Sequence, residues 1–326
     1  MSLLEVRDLY VTYRTRAGDV PVVRGVSFTL DTAGTLGLAG ESGCGKTTIA
    51  NAVLRLLPAA TKVEGQILLE GEDVYTMNPG RLRAVRWSEL AVVFQGALHS
   101  LDPVQRVGKQ IAEAIDLHTT QPRAATRKRV GELLEQVGLP ARRADDYPHQ
   151  LSGGQRQRVM IAMALACDPA VLIADEPTTA LDVMVQAQVL DLLQQLQRER
   201  NLAVLFITHD LSVLTYVCRR LAVMYAGRIV EEGASDVVFE SPQHPYTRAL
   251  AAAFPTIGDH ASRMRPSGLE GDPPDPQHIP DGCPFHPRCD VAEARCSTLD
   301  VRLSPAGAGR RAACVHVGSL ETEVPA

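Results

Sequence analysis

The sequence predicts an α/β fold with parallel strand pairing, followed by an extension of different character. Two apolar segments, Val171–Ala174 and Ala203–Ile207, read as strands joined by a helix from about Val183 to Glu199. Strand–helix–strand order demands a crossover and hence a parallel arrangement. The extension is marked by proline: Pro255, Pro266, Pro273, Pro274, Pro276, Pro280, Pro284 and Pro287 all fall within 255–287. That density excludes long helices and implies an extended linker.

The other elements follow in order. Alternation at Leu4–Arg7, Val22–Val23 and Val26–Leu30 reads as β structure. Thr35–Ala39 reads as a short buried strand running into a glycine-rich loop and an apolar helix over Thr47–Leu57. Gly65–Leu69 and Leu90–Phe94 read as strands. From about Pro103 to Ala166 the pattern turns helical, marked by Val107, Ile111 and Ile115 and then by Val130, Leu133, Leu134 and Val137. Leu221–Tyr225 and Arg228–Glu231 bracket Ala226-Gly227 as a hairpin.

Composition narrows the function. The chain has 326 residues, 45% hydrophobic and 22% charged, which suits one large domain plus a smaller one. The net charge of −5 gives no bulk electrostatic case for nucleic-acid binding. No run of about 18 apolar residues is present, so nothing is expected to span a bilayer. With no secretory signal at Met1–Tyr10, a cytosolic location is expected, and any membrane work must come through partners. Four of the seven cysteines, Cys283, Cys289, Cys296 and Cys314, cluster late in the chain, which in a cytosolic protein suggests metal before disulfide.

Three motifs carry chemistry. The first is Gly40-Glu41-Ser42-Gly43-Cys44-Gly45-Lys46-Thr47-Thr48, which fits G-x-x-x-x-G-K-[ST] with a strand before it and a helix after it. Glycines let backbone N–H groups turn inward around phosphate oxygens, and the helix points its positive end at the same anion. Lys46 adds a full charge and Thr47 a hydroxyl for Mg²⁺. The second is Asp175-Glu176, two acids at the end of an apolar strand. Ligands of parallel sheets sit beyond such strand ends, so Asp175 suits the Mg²⁺ region and Glu176 suits a general base for an attacking water. The third is Leu151-Ser152-Gly153-Gly154-Gln155, preceding a helix over Arg156–Cys167. Ser152, the two glycine amides and that helix start form an anion site with no anion of its own.

Together these motifs resemble the ABC ATPase family, over about residues 1–245. Further elements match by order and spacing: Gln95 fits the Q-loop, Ala180-Leu181-Asp182 the D-loop, His209 the switch histidine and Tyr13 the adenine-stacking aromatic. Tyr13 also reads as an ordinary strand aromatic. The resemblance implies a P-loop ATPase domain with a RecA-like core, an antiparallel β subdomain and an α-helical signature subdomain at about 96–166. It also implies ATP and Mg²⁺ as ligands. Two ATPase domains are then expected to dimerise head to tail, each ATP sandwiched between one phosphate loop and the other chain's signature.

Ser241–Leu250, Leu101–Val104 and the cysteine tail are similar to the ATPase subunits of oligopeptide and dipeptide permeases. That resemblance implies peptide import and a sister ATPase subunit, with a homodimer as the alternative. It further implies two transmembrane permease subunits, an extracytoplasmic peptide-binding protein, and a peripheral position on the cytoplasmic face of the inner membrane. It also implies that residues 246–326 form a C-terminal extension whose four cysteines hold a [4Fe–4S] cluster. The C-x5-C-x6-C-x17-C spacing argues mildly against zinc, and zinc or plain reduced thiols stay open. Other cargoes, nickel or a glutathione-like molecule, and a soluble ABC ATPase are the remaining alternatives. Against the last, the chain has one ATPase unit and only 110 residues between Gly40 and Leu151, without heptads.

Overall fold

The computed structural model describes residues 2–94, 96, 100–253 and 269–317. In chain order its strands are β1 (Ser2–Thr15), β2 (Gly18–Asp31), β3 (Thr35–Ala39), β4 (Lys62–Leu69), β5 (Glu72–Asp73), β6 (Leu90–Val93), β7 (Val171–Asp175), β8 (Ala203–Thr208), β9 (Arg220–Tyr225), β10 (Arg228–Ala234), β11 (Ser304–Pro305) and β12 (Arg311–Ala312). Its α-helices are α1 (Lys46–Val53), α2 (Pro79–Ser88), α3 (Val107–His118), α4 (Arg123–Gln136), α5 (Gly153–Ala164), α6 (Val183–Arg200), α7 (Leu211–Val217), α8 (Ser235–Glu240) and α9 (Pro245–Ala252). The chain forms two compact units. One holds Met1–Leu4, Leu30–Gly34 and Thr76–Leu205, and the other Glu5–Thr29, Thr35–Tyr75 and Phe206–Ala326.

In the second unit, β1 lies between β2 and β4 in a four-stranded sheet, whose outer strand β5 pairs antiparallel with β4. The inward face of β1 moves from Leu4 and Val6 to Leu9 and Val11, a one-residue slip. Asp8, at φ 44°, makes that slip. The fully buried strand β3 pairs in parallel with β9, from Leu36 opposite Arg220 to Ala39 opposite Val223. β9 turns into β10 through Ala226 and Gly227, both at positive φ, which confirms the hairpin. β10 in turn pairs with β12, and β12 with β11. β12 and β11 are therefore an added edge of this sheet, a feature the sequence pattern does not announce.

In the first unit, β6 and β7 pair in parallel, Leu90 opposite Val171 and Val93 opposite Ala174. α3, α4 and α5 are apolar on their inner faces: Val107, Ile111 and Ile115 on α3, Val130, Leu133 and Leu134 on α4, and Val159 and Ile161 on α5 are all buried. These are the helices expected between Pro103 and Ala166. α2 is an addition to that expectation. It starts at the Asn78 cap, whose side chain accepts from the Arg81 amide, and it breaks at Trp87, at φ 74°.

Three boundaries differ from the sequence reading for local reasons. α1 stops at Val53 rather than Leu57, because Arg55 adopts φ 52° and Pro58 follows. α5 begins at Gly153 rather than Arg156, because Ser152 and Gln155 form a reciprocal capping box. α6 ends at Arg200, where Asn201 takes the left-handed cap.

Gly227 is held where no side chain fits: φ is 80°, and an added Cβ would stand 2.4 Å from the Val22 carbonyl oxygen. Replacing Gly227 with Ala should cost about 2–3 kcal/mol, seen as a lower denaturation midpoint with an unchanged slope.

Candidate active site

The phosphate loop leaves β3 and enters α1 within the second unit. Gly40 has φ 151°, and a Cβ there would lie 2.3 Å from the Met224 carbonyl oxygen, so only glycine lets the loop turn against β9. Lys46 is 5% exposed. Its ammonium donates to the Gly40 carbonyl at 2.6 Å and to the Glu41 carbonyl at 2.9 Å, and lies 3.7 Å from the Cys44 sulfur. The loop is thus wound around the Lys46 charge. Cys44 is buried, and burial pushes its thiol up, so it packs as an uncharged side chain. The Tyr13 hydroxyl sits 3.4 Å from the Thr48 hydroxyl, which ties β1 to the first turn of α1.

His209 follows the last residue of β8, is exposed, and precedes α7. Asp210 caps that helix by accepting from the amides of Ser212 and Val213. The cap fixes the chain direction just after the histidine.

In the first unit, Asp175 ends β7 almost fully buried. Glu176 stands next in a left-handed conformation, φ 44°, which is strained for a glutamate. Its carboxylate accepts from the Thr179 hydroxyl at 2.6 Å, so the side chain is held in one place. Ala180 is also left-handed, at φ 65°, and Asp182 then caps α6 by accepting from the Val185 amide at 3.0 Å. The signature helix α5 meets this segment closely: a Cβ on Gly154 would lie 2.4 Å from Val185 Cγ1. Ser152 is exposed at the start of α5, and its hydroxyl is shared with the Gln155 amide at 3.3 Å. Gln95 lies outside the described residues.

Motif spacing missed the groups that hold the phosphate loop from behind. The Glu41 amide donates to the Tyr246 hydroxyl at 2.9 Å, and the Glu41 carboxylate is gripped by Arg288. Tyr246 is fully buried against Tyr225 and Phe285, with ring centroids 4.6 and 5.4 Å away. It sits on α9, whose cap is the buried His244, accepting from the Tyr246 amide at 3.1 Å. Buried Glu231 accepts from the amides of Gln243 and His244, which anchors the start of α9 to β10. Ser241–Leu250 had stood out in the sequence only as a similarity, with no role attached to Tyr246.

The four late cysteines require a correction. Cys283, Cys289, Cys296 and Cys314 line one small cavity and are all free. Among the described residues, however, no group of three or more His, Cys, Asp or Glu could hold a metal ion. Burial pushes the thiols of Cys283 and Cys289 up, and that of Cys314 up to about 11. The expected [4Fe–4S] cluster and its zinc alternative are not supported.

With this geometry in view, comparisons with known proteins decide the family. The ABC transporter family matches residues 23–179, and the oligopeptide/dipeptide transporter C-terminal region matches residues 230–296. A Brucella abortus ATP-binding protein named for peptide import is 47% identical over 96% of this chain and 94% of its own length. This chain belongs to the ABC transporter family. Within it, the oligopeptide transport ATP-binding protein OppD of Bacillus subtilis is 45% identical over 89% of this chain and 82% of that protein. The dimeric ABC cassette MJ0796, in a post-hydrolysis state bound to ADP and Pi, superposes with a TM-score of 0.64. It is 27% identical and covers 71% of this chain and 98% of its own. The chain is thus an ABC ATPase with the cassette's P-loop α/β fold.

The cap of α9 gives this ABC ATPase a pH signature. Burial lowers the His244 pKa to about 3, while unfolding returns it to about 6.5. Between those values the unfolded chain binds the extra proton, so His244 lowers stability as pH falls from 6.5 towards 3. Burial raises the Glu231 carboxyl, which works in the opposite direction at the acid end. Replacing His244 with Asn, which keeps an acceptor at the cap, should flatten the loss between pH 6.5 and 5 by up to about 1.4 kcal/mol per pH unit. Urea denaturation across that range reads it.

Proposed function

We propose that this chain is the ATP-hydrolysing subunit of an importer for dipeptides and oligopeptides. The observation that carries the reading is a phosphate loop wound on a buried Lys46, in a chain whose C-terminal region matches that of oligopeptide and dipeptide transporters. In this reading the loop amides of residues 40–48 and Lys46 hold the ATP phosphates, and Tyr13 stacks on the adenine. Thr47, Asp175 and Gln95 would hold Mg²⁺, whose chemistry is to neutralise charge on the β- and γ-phosphates.

Hydrolysis needs a water oxygen to bond to the γ-phosphorus as the bond to the ADP oxygen breaks, with one water proton taken up. Glu176 is assigned to take that proton; its fixed carboxylate and strained backbone suit a group held for one task. His209 is assigned to steady the γ-phosphate and the water. Ser152, Gly153, Gly154, Gln155 and Asp182 are assigned to the nucleotide of a second ATPase subunit, in the manner of a dimeric cassette. Departure of the γ-phosphate then loosens the dimer, and the membrane subunits convert that motion into transport.

The second ATPase is proposed to be a sister chain, with two transmembrane permease subunits and an extracytoplasmic peptide-binding protein completing the importer. No helix among the described residues is long and apolar enough to cross a membrane, which suits a peripheral subunit at the cytoplasmic face.

The test is uptake of labelled di- and oligopeptides in cells lacking this gene. Wild type should restore uptake, and Glu176→Gln should not. In the purified transporter the same substitution should lower ATP turnover by about 10²–10⁴-fold while ATP stays bound. Undiminished peptide uptake in the deletion strain would remove the peptide assignment and turn attention to other cargo.

A further inference from the structure

Arg288 sits at the end of the short 3₁₀ turn His286–Arg288, next to Cys289 in the C-terminal extension. Its side chain is only 7% exposed, and all three of its nitrogens are engaged. Nη1 donates to Glu41 Oε2 at 2.8 Å and Nη2 to Glu41 Oε1 at 3.0 Å, a two-pronged grip on the second residue of the phosphate loop. Nη1 also reaches the Tyr225 hydroxyl at 3.3 Å, and Nε donates to the Glu270 carbonyl at 2.9 Å. The guanidinium lies 5.8 Å from the Tyr225 ring centre and 5.9 Å from that of Phe285.

A carboxylate in this loop poses a problem. The loop must receive a polyanion, and a bare negative charge beside it opposes that. A bidentate arginine removes the opposition and also fixes direction, since a planar fork matches a carboxylate in one orientation. One further contact restrains the same stretch, the Glu41 amide donating to the Tyr246 hydroxyl, and Pro273, Pro274, Pro276 and Ile279 line one cavity with Glu41–Cys44.

We propose that Arg288 is a positioning residue for the ATPase: by neutralising and orienting Glu41, it lets the C-terminal extension set the affinity of the phosphate loop for ATP. The proposal rests on the reading that this loop binds ATP. It makes the extension part of the nucleotide site's support.

The experiment is MgATP binding to the full-length chain, measured as Kd, for wild type, Arg288→Met, Glu41→Gln and the double variant, with a thermal unfolding midpoint for each. Arg288→Met should weaken binding about tenfold, within the coupling expected inside one network. Adding Glu41→Gln should recover most of that loss, because the charge that needed neutralising is gone. Arg248→Met serves as the control. It removes a different ion pair, one within the extension, to Asp290 at 2.8 Å, and should leave Kd unchanged. A Kd for Arg288→Met within about twofold of wild type would overturn the proposal, as would a double variant as weak as the single one or weaker. A loss of affinity in Arg248→Met equal to that in Arg288→Met would also overturn it. If Arg288→Met does not fold, Arg288→Lys replaces it. Lysine keeps the charge without the fork, so a smaller weakening reversed by Glu41→Gln is expected, and an unchanged Kd counts against the proposal. A wild type that binds no MgATP would instead sink the functional reading beneath it.

Discussion

The hydrogen bonds from the Lys46 ammonium to the Gly40 and Glu41 carbonyls are the constraint on which the rest of the second unit turns. They wrap a short loop around a buried positive charge. A loop left to find this shape on binding would lose affinity to the entropy of ordering. Here the shape is already set by its neighbours. β3 launches it from a fully buried strand, and Gly40 presses against the Met224 carbonyl, where any Cβ would collide. Gly45 meets the Val22 carbonyl in the same way. Electrostatics and close backbone packing therefore agree on one loop conformation.

The C-terminal extension belongs to this same arrangement. Its last strands add to β10 through Glu231 opposite Ala312, and β10 carries the buried Glu231 that anchors the start of α9. α9 brings Tyr246 to the Glu41 amide, while Arg288 takes the Glu41 carboxylate. Arg288, in a stretch that composition marks as linker and thiol-rich tail, is thus packed behind the phosphate loop. The backbone of the first unit is shaped by a different device. There, two left-handed residues, Glu176 and Ala180, bend the chain between β7 and α6, and the signature helix is close enough to Val185 that Gly154 has no room for a side chain.

Much of this was legible in the sequence, for physical reasons. A buried strand, a glycine loop, Lys46 and an apolar helix follow one another along the chain, so spacing alone reveals that arrangement. The placing of Asp175-Glu176 at a strand end and of Leu151–Gln155 at a helix start was readable too, as was the Ala226-Gly227 hairpin, whose turn has positive φ at two positions. What escaped was long-range. Arg288 and Glu41 are 247 residues apart, and an arginine beside a cysteine carries no mark of its partner. The two-residue strands β11 and β12 are too short to show alternation. The premature end of α1 depends on one left-handed arginine, a conformation that sequence rarely betrays. The cysteines misled because spacing gives the number of thiols and not their mutual geometry.

The most direct measurement is isothermal titration of MgATP into the full-length chain, comparing wild type with Lys46→Ala. The account predicts saturable one-site binding to wild type and its loss in the variant, with the fold intact by circular dichroism. Equal binding by a folded Lys46→Ala variant would contradict the claim that the loop wound on Lys46 is the nucleotide site.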